Sequence, residues 1–312
     1  MFKKILLAAG LLCLTGMLSA CGGQTEQKVT EIRVAFNQNE NHPQYLAMKD
    51  FGEKFEKATN GRYHMTIYPN GVLGEQGAMA EFIRTGALQM AIVPGSVPEG
   101  YDADFAIVGA PYLYDNIDHL EHAVMGGVFD ELFSSTDKYK FRVLTVYTAG
   151  ERNVYAKKPI NSADDLKGMI IRVNDSPTYV EMTKLMGGNG AVMAQSEVYT
   201  ALQQGVIDGQ ENPIAVIYSN AVYEAQDYLA ITNHVYSPSM ILFSKPVFEG
   251  LDPAYQTALL EAAQEAAAYE RSACEDSEAE QIAEMEAAGL EVTYPDTTEF
   301  QAAMAPVYEK YA

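Results

Sequence analysis

Residues 196–213, SEVYTALQQGVIDGQENP, contain the pattern that decides the fold. Ser196 is a good helix N-cap, and the apolar spacing after it predicts one short amphipathic helix that Gly205 ends. Residues 206–207 are valine and isoleucine, which predict the start of a short buried strand followed by an Asp-Gly turn. Residues 210–213, QENP, then lie past the carboxyl end of that strand, where open α/β sheets bind ligands.

A second segment, residues 164–173 (DDLKGMIIRV), reads as a helix turn, a glycine and an apolar strand interrupted by Arg172. A buried arginine is costly unless an anionic group meets it. Its planar guanidinium matches a carboxylate through two parallel hydrogen bonds and stays charged at any working pH. Arg172 is therefore a candidate for binding an organic acid. The alternative is an ion pair with one of the chain's many acidic residues, and the residues by themselves favour that alternative.

Strands alternate with helices in the amino-terminal part of the chain. This βαβαβ order is typical of a largely parallel sheet covered by helices, so the predicted fold class is α/β. The strands are predicted at 31–36, 63–68 and 90–93, and the helices between them at 43–59 and 73–86. Two further buried strands are predicted at 141–147 and 239–244.

One long helix is predicted near the carboxyl terminus. Asp252-Pro253 is a strong N-cap and N1 pair, and no helix breaker follows until Gly289. Such a helix would be about 54 Å long at 1.5 Å per residue, which is longer than a single small domain needs. A coiled-coil segment and a bundle element are alternatives, although the apolar stripe is too small-sided for a strong zipper seam.

The amino terminus reads as an export signal. Residues 1–20 combine two lysines, an apolar run too short to span a bilayer comfortably, and a small-residue cleavage site before Cys21. This order resembles the lipobox of bacterial lipoproteins, in which the cysteine is lipidated, and residues 21–28 then read as a lipidated flexible tether. We therefore expect an exported, lipid-anchored protein at the cell membrane, in the periplasm or on the outer face. An ordinary secretory signal with an incidental cysteine is the alternative.

Charge and cysteine content exclude several classes of protein. The chain has 21 basic and 42 acidic residues, and a net charge of −21 argues against nucleic acid or an anionic membrane surface as a partner. An anionic ligand would therefore need a few arginines placed close to it. Of three cysteines, Cys13 leaves with the signal and Cys21 is the expected lipid site, so Cys274 remains without a disulfide partner.

Signatures of enzymes are poor. There is no G-x-S-x-G and no glycine-rich phosphate loop. His119 and His122 could face a metal ion at helical spacing, but no cysteine or further histidine lies nearby, so a solvated helix face is the better interpretation. Asp164-Asp165 reads as a helix start and not as an acid–base pair. We expect no catalytic residue, no cofactor and no metal.

Both opening segments, together with Tyr223-Glu224 and Asn233-His234, resemble the solute-binding subunit of TRAP transporters, the tripartite ATP-independent periplasmic carriers of organic acids. The resemblance runs from about His42 to the carboxyl terminus. It implies a two-lobed periplasmic-binding-protein-like fold that closes on its ligand by a hinge, with the long helix spanning both lobes. The implied boundaries are 28–149 and 238–277 for lobe 1, and 150–237 and 278–312 for lobe 2.

The resemblance also implies three ligand-binding residues in the second lobe. Arg172 matches the arginine of a G-x-x-x-R-V pattern that grips the substrate carboxylate in related proteins. Arg152 matches a second arginine that helps hold the same carboxylate in sialic-acid binders, and Asn212 matches the asparagine of an E-N-P pattern. Without the resemblance, Arg152 would be read as a solvated charge and Asn212 as a turn-capping residue before proline.

Three positions in the first lobe follow from the same resemblance. Asn37 matches a polar contact of the sialic-acid binders, Glu75 could accept hydrogen bonds from ligand hydroxyls, and His42 could contact the ligand. The alternatives are a helix N-terminal charge for Glu75 and a loop-to-helix boundary role for His42. Pro94 stands where the sialic-acid binders carry an acidic ligand contact, which argues against sialic acid as the ligand.

The function expected from these residues is capture of a small organic anion by an arginine–carboxylate clamp, followed by delivery to a TRAP membrane permease. Glu75 and Asn37 favour a uronate-like sugar acid over a C4-dicarboxylate. We expect a monomer. One alternative is a sensory binding protein of the same fold that docks a receptor kinase, and a less favoured one is an exported enzyme on this fold.

Overall fold

The computed structural model of the protein describes residues 29–311. The predicted signal segment 1–20, the lipid site Cys21 and the tether 21–28 lie outside these residues. Within the described range, no helix combines the length and the apolar character needed to cross a membrane.

Strands and helices alternate through most of the described chain. The strands are β1 (Thr30–Ala35), β2 (Tyr63–Tyr68), β3 (Met90–Pro94), β4 (Phe141–Ala156), β5 (Ile170–Val173), β6 (Asn189–Val192), β7 (Gly209–Pro213), β8 (Tyr228–Ser244) and β9 (Glu291–Thr293). The helices are α1 (Pro43–Ala58), α2 (Gln76–Thr85), α3 (Ser96–Glu99), α4 (Ile117–Met125), α5 (Asp130–Ser135), α6 (Pro177–Leu185), α7 (Gln195–Gln204), α8 (Ile214–Ser219), α9 (Lys245–Glu249), α10 (Pro253–Ala287), α11 (Thr298–Ala303) and α12 (Ala305–Tyr311). Short 3-10 helices span 103–109, 136–139, 163–166 and 222–225.

These strands form one mixed sheet in the order β2-β1-β3-β8-β4-β7-β5-β6, with β9 beside β8. Two parallel regions, β2-β1-β3 and β7-β5-β6, lie on either side of the long antiparallel pair β4 and β8. The first half of the sheet combines β1–β3 with residues 141–148 of β4 and 239–244 of β8. The second half combines β5–β7 and β9 with residues 151–156 and 228–236.

The pairing of the two long strands is irregular where they pass between the halves. The register of β4 against β8 shifts between Thr148 and Glu151, and Gly150 within that gap has a φ of 89°. This left-handed conformation favours glycine because it lacks a Cβ. The continuous sheet passes at this irregularity from one α/β half to the other.

The long helix α10 contributes to the cores of both halves. Leu259 and Ala263 pack with Phe51 and Phe55 of α1 in the first half. Farther along the helix, Met285 packs with Leu202 of α7 in the second half. The predicted fold class, a two-lobed α/β protein with a long helix spanning both lobes, is therefore confirmed.

Several local predictions need correction. Helix α7 begins one residue before Ser196, which lies inside it, although Gly205 does end it. Residues 206–207 are not a strand, because the strand begins at Gly209 and is Gly209–Pro213, whose residues are all buried. Of the two predicted strand residues, Ile207 is buried but Val206 is 54% exposed. The predicted strands at 141–147 and 239–244 are parts of strands of 16 and 17 residues. Local apolar patterning misses strands whose polar residues are buried against partners distant in sequence.

Candidate functional site

A polar cavity open to solvent lies between the two halves of the sheet and has about 430 Å³ of free space, including the solvent at its mouth. Arg152 and Asn212 reach it from the second half, and Asn37 reaches it from the loop after β1. Its wall is rich in amide side chains, which both donate and accept hydrogen bonds: Asn37, Gln38, Gln44, Gln76, Asn174, Gln195 and Asn212. Such a lining suits a ligand with several hydroxyl groups.

A larger cavity, with about 1300 Å³ of free space including open solvent, adjoins the first one. Gln76 and Gln195 line both cavities, so the two meet at these residues. Arg172 and Glu75 line the larger cavity. The sequence-predicted residues Arg152, Asn212 and Asn37 therefore meet in one cavity, and Arg172 and Glu75 meet in its neighbour.

Arg172 is a buried cation that forms no ion pair among the described residues, although the charges of Glu211 and Glu75 act on it at longer range. It lies on β5 and is 2% exposed, and its Nε donates to the Met193 carbonyl oxygen at 2.9 Å. Its Nη1 is buried without a hydrogen-bond partner, and no acidic side chain in the described residues lies within ion-pair distance of it. Burial lowers the pKa of Arg172 to about 10, which still leaves it charged at neutral pH. An unpaired buried cation is costly, so this position is prepared for an anion.

Arg152, in contrast, already has an acidic partner. Its guanidinium forms a buried ion pair with Glu211, in which Nη2 donates to Oε1 at 2.8 Å. Nη2 also donates to Asn212 Oδ1 at 3.1 Å, and Nη1 donates to Ser237 Oγ at 3.2 Å. Although burial disfavours both charges, the pair raises the pKa of Arg152 and lowers the pKa of Glu211. Arg152 therefore supplies oriented donors to the cavity but little net charge.

Glu211 also contacts a buried histidine that sequence reasoning did not select. His234 Nε2 lies 3.2 Å from Glu211 Oε2, and its Nδ1 lies 2.8 Å from Thr232 Oγ1. Burial lowers the pKa of His234, so the ring is neutral at neutral pH. Glu211 belongs to the E-N-P segment and His234 to the Asn-His segment, and both segments carry the family resemblance. That resemblance is the sequence signal by which these two residues could have been predicted.

Asn212 is a strand residue and not a turn cap. It sits in β7, opposite Asn153 of β4. Its Nδ2 donates to Gln210 Oε1 at 2.8 Å, and its Oδ1 accepts from Arg152. Because β7 is held between β4 and β5, these contacts fix the amide at the cavity wall.

The three positions predicted in the first lobe differ in what they contact. The Nδ2 of Asn37 is buried without a partner at the smaller cavity. Glu75 precedes the first residue of α2 and accepts from Ser196 Oγ at 2.9 Å across the cleft. His42 is fully buried and lines neither cavity; its Nδ1 accepts from the Gln44 backbone N–H at 3.2 Å. Burial lowers the pKa of His42 to about 3, and the residue caps α1 as the boundary alternative predicts.

Metal coordination has no candidate in the part of the chain that the structure describes, because no three His, Cys, Asp or Glu side chains are grouped suitably. His119 instead lies inside α4, whose N-cap is Asn116, and its Nδ1 accepts from the Asp115 backbone N–H at 3.3 Å. Pro94 lines the smaller cavity, so the acidic contact of sialic-acid binders has no counterpart at that position.

Two α/β lobes joined by shared long strands and one long helix, with a polar cleft between them, define the class of bilobed solute-binding proteins. Residues 34–312 match the family model of bacterial extracellular solute-binding protein, family 7 (DctP). The chain belongs to this family, that of the TRAP solute-binding subunits.

Several members of the family resemble the chain over most of its length. The 2,3-diketo-L-gulonate-binding periplasmic protein YiaO of Escherichia coli K12 is 32% identical over 262 residues, which cover 84% of this chain and 80% of that protein. A TRAP periplasmic solute-binding protein from Pseudomonas putida F1, solved with bound D-glucuronate, is 31% identical with a TM-score of 0.87, covering 90% and 93% of the two chains. A protein from Xanthobacter autotrophicus Py2 with bound β-D-galacturonate has the same TM-score at 30% identity, covering 90% and 94%.

Proposed function

We propose that this protein captures a uronate-like sugar acid for a TRAP transporter, with Arg172 as the main contact of the ligand carboxylate. The observation that carries the proposal is the buried Nη1 of Arg172, which has no partner and no adjacent acid in the described residues. A carboxylate would supply both the missing hydrogen bond and the missing charge. The relatives with bound glucuronate and galacturonate support this choice of ligand.

In this proposal Arg152 and Asn212 support the carboxylate as oriented donors. Glu211 holds the Arg152 guanidinium in a fixed orientation and balances most of its charge, so Arg152 would offer the ligand oriented N–H donors and little net charge. The amide-lined cavity, with the free Nδ2 of Asn37 on the opposite wall, would then bind the hydroxyl end of the ligand. A plain C4-dicarboxylate would leave several of these amides without partners, which is unfavourable in a buried site.

The test is calorimetric binding of D-glucuronate, D-galacturonate and L-gulonate to wild-type protein and to Arg172→Ala. Loss of two charge-assisted hydrogen bonds, at about 1.5–3 kcal/mol each, should weaken binding at least 100-fold. The variant should stay folded, because it removes a buried cation that has no acidic partner. Arg62→Ala is the matched control, since Arg62 is an exposed arginine and should leave affinity unchanged. Equal affinity of wild type and Arg172→Ala would refute the clamp.

We further propose that the closed, loaded protein is delivered to a membrane permease while anchored through lipidated Cys21, as a monomer. The lobes are placed at 28–149 with 238–277, and at 150–237 with 278–312, so that β4, β8 and α10 form the three crossings. Cys21→Ser should move the protein from the membrane fraction to the soluble fraction. Retention in the membrane fraction would contradict the lipid anchor.

A further inference from the structure

A carboxylate of the first lobe reaches across the cleft to a helix of the second. Glu99 is the last residue of α3, the short helix that follows β3. Its Oε2 accepts from Ser176 Oγ at 2.6 Å, and its Oε1 accepts from Thr178 Oγ1 at 2.7 Å and from the Thr178 backbone N–H at 3.3 Å. Ser176 and Thr178 begin α6, which follows β5 in the second half of the sheet.

This arrangement is favourable for a simple electrostatic reason. The first backbone N–H groups of a helix lack partners within the helix, and its amino terminus carries a partial positive charge. Ser176 Oγ already accepts from the Tyr179 backbone N–H at 3.1 Å, so its hydroxyl proton is free to be donated to Glu99. A half-buried carboxylate with three donors is held more firmly than an exposed surface pair.

The contact lies next to the candidate site without being part of it. Asn174, two residues before Ser176, lines the smaller cavity. Ser96 of α3 and Pro177 of α6 line the larger one together with Arg172. Glu99 lines neither cavity. The bonds of Glu99 therefore tie together the two walls between which the ligand would sit.

Other bonds that cross the cleft spread their donors over several acceptors. Glu75 accepts from Ser196 Oγ at 2.9 Å, Asn220 Nδ2 donates to Gln38 Oε1 at 2.7 Å, and Asn39 Nδ2 donates to the Ser219 carbonyl oxygen. The Glu99 carboxylate, in contrast, accepts three hydrogen bonds from the opposite lobe, and its negative charge strengthens each of them. Its removal should therefore shift the balance from the closed form towards the open form.

We propose that Glu99 is a positioning residue, an interlobe latch that sets ligand affinity by stabilising the closed form without touching the ligand. This inference rests on the proposed function, since it assumes that the cleft closes on a sugar acid. A ligand that binds the closed form is released more slowly when the closed form is more stable, because apparent affinity scales with the population that can bind. Loss of the latch should therefore raise the dissociation rate 10- to 100-fold and leave the association rate nearly unchanged.

The experiment compares Glu99→Ala with Glu56→Ala. Glu56 is the matched control, because it is also a half-buried acid of the first lobe that lines neither cavity, but among the described residues it contacts only its own lobe, at His64 Nδ1. Stopped-flow binding of D-glucuronate should show the faster dissociation in Glu99→Ala and not in Glu56→Ala. The far-ultraviolet circular dichroism spectrum of the unliganded protein should stay unchanged, which shows that Glu99→Ala is folded. A double-mutant cycle with Ser176→Ala should show that the two effects are not additive.

Small-angle X-ray scattering gives a readout that does not depend on the ligand's identity. The latch predicts that Glu99→Ala has a larger radius of gyration, and so a smaller closed fraction, than wild type under the same conditions. Equal dissociation rates and equal radii in the two proteins would overturn the latch. Failure of wild type to bind any of the sugar acids would instead overturn the proposed ligand, and the comparison of radii would still decide the latch.

Discussion

Replacing the buried Glu270 of α10 with glutamine should abolish one part of the pH dependence of the protein's unfolding free energy. The Glu270 side chain is fully buried, its Oε2 accepts from the Thr148 backbone N–H at 3.0 Å, and no cation in the described residues pairs with it. Burial raises the pKa of Glu270 from 4.5 to about 8, against the opposing effect of the Thr148 hydrogen bond. The folded protein therefore holds a proton there that the unfolded chain releases.

The sign and the size follow from linkage between protonation and folding. Because the folded pKa is raised, the contribution of Glu270 to stability is fully present below about pH 4.5 and is lost as the pH rises towards 8. Each pKa unit corresponds to about 1.4 kcal/mol, so the interval between the two values corresponds to roughly 3–5 kcal/mol. Glu270→Gln keeps the shape of the side chain and cannot ionise, so this loss should be absent.

The measurement is urea unfolding at pH 5, 6, 7 and 8, followed by circular dichroism because the chain contains no tryptophan. The difference in unfolding free energy between Glu270→Gln and wild type should grow in favour of the variant as the pH rises. Glu261→Gln is the control on the same helix, since Glu261 is exposed and should give a constant difference. A difference for Glu270→Gln that stays constant from pH 5 to pH 8 would refute the reasoning.

Two further substitutions test β7, the strand that holds the site. Glu211→Gln should lower the unfolding free energy by about 3–5 kcal/mol, because it leaves Arg152 as a buried cation without its acid. A loss below about 1 kcal/mol in urea unfolding would show that the ion pair is dispensable for stability. Gly209→Ala should cost about 1–3 kcal/mol, because a Cβ there would overlap the Tyr155 carbonyl oxygen of the neighbouring strand. An unchanged melting temperature for that variant would contradict the close packing of β7 against β4.

The elements predicted well are those whose signals are local in sequence. The predicted strand at 31–36 corresponds to β1, and the predicted start of the long helix is confirmed, with the Asp252 side chain accepting from the Ala254 backbone N–H at 3.0 Å. N-caps, helix-breaking glycines and apolar runs act within a few residues, so a sequence displays them directly. The family resemblance added the two-lobed architecture, which local patterns do not contain.

The strand β7 shows why the rest of the site could not be predicted from the residues themselves. Gln210, Glu211 and Asn212 are fully buried or nearly so, although their types predict an exposed turn. Their burial is possible because distant residues supply the compensating hydrogen bonds. Arg152, about 60 positions earlier in the chain, donates to Glu211 and Asn212, and Gln226 accepts from Gln210 Nε2 at 3.1 Å. Single-sequence rules treat a polar run as solvent-exposed, and only the folded pairing of β4 with β7 reverses that expectation.

The path of α10 has a consequence for how the protein folds. Phe51 and Phe55, near the beginning of the chain, complete their core only by packing against Leu259 and Ala263. Contacts of such long sequence separation carry a large loop-closure cost and form slowly. The amino-terminal lobe therefore cannot finish folding while the ribosome is still synthesising the chain before α10. A nascent chain that stays incomplete for so long remains open to chaperones until nearly its whole length has emerged.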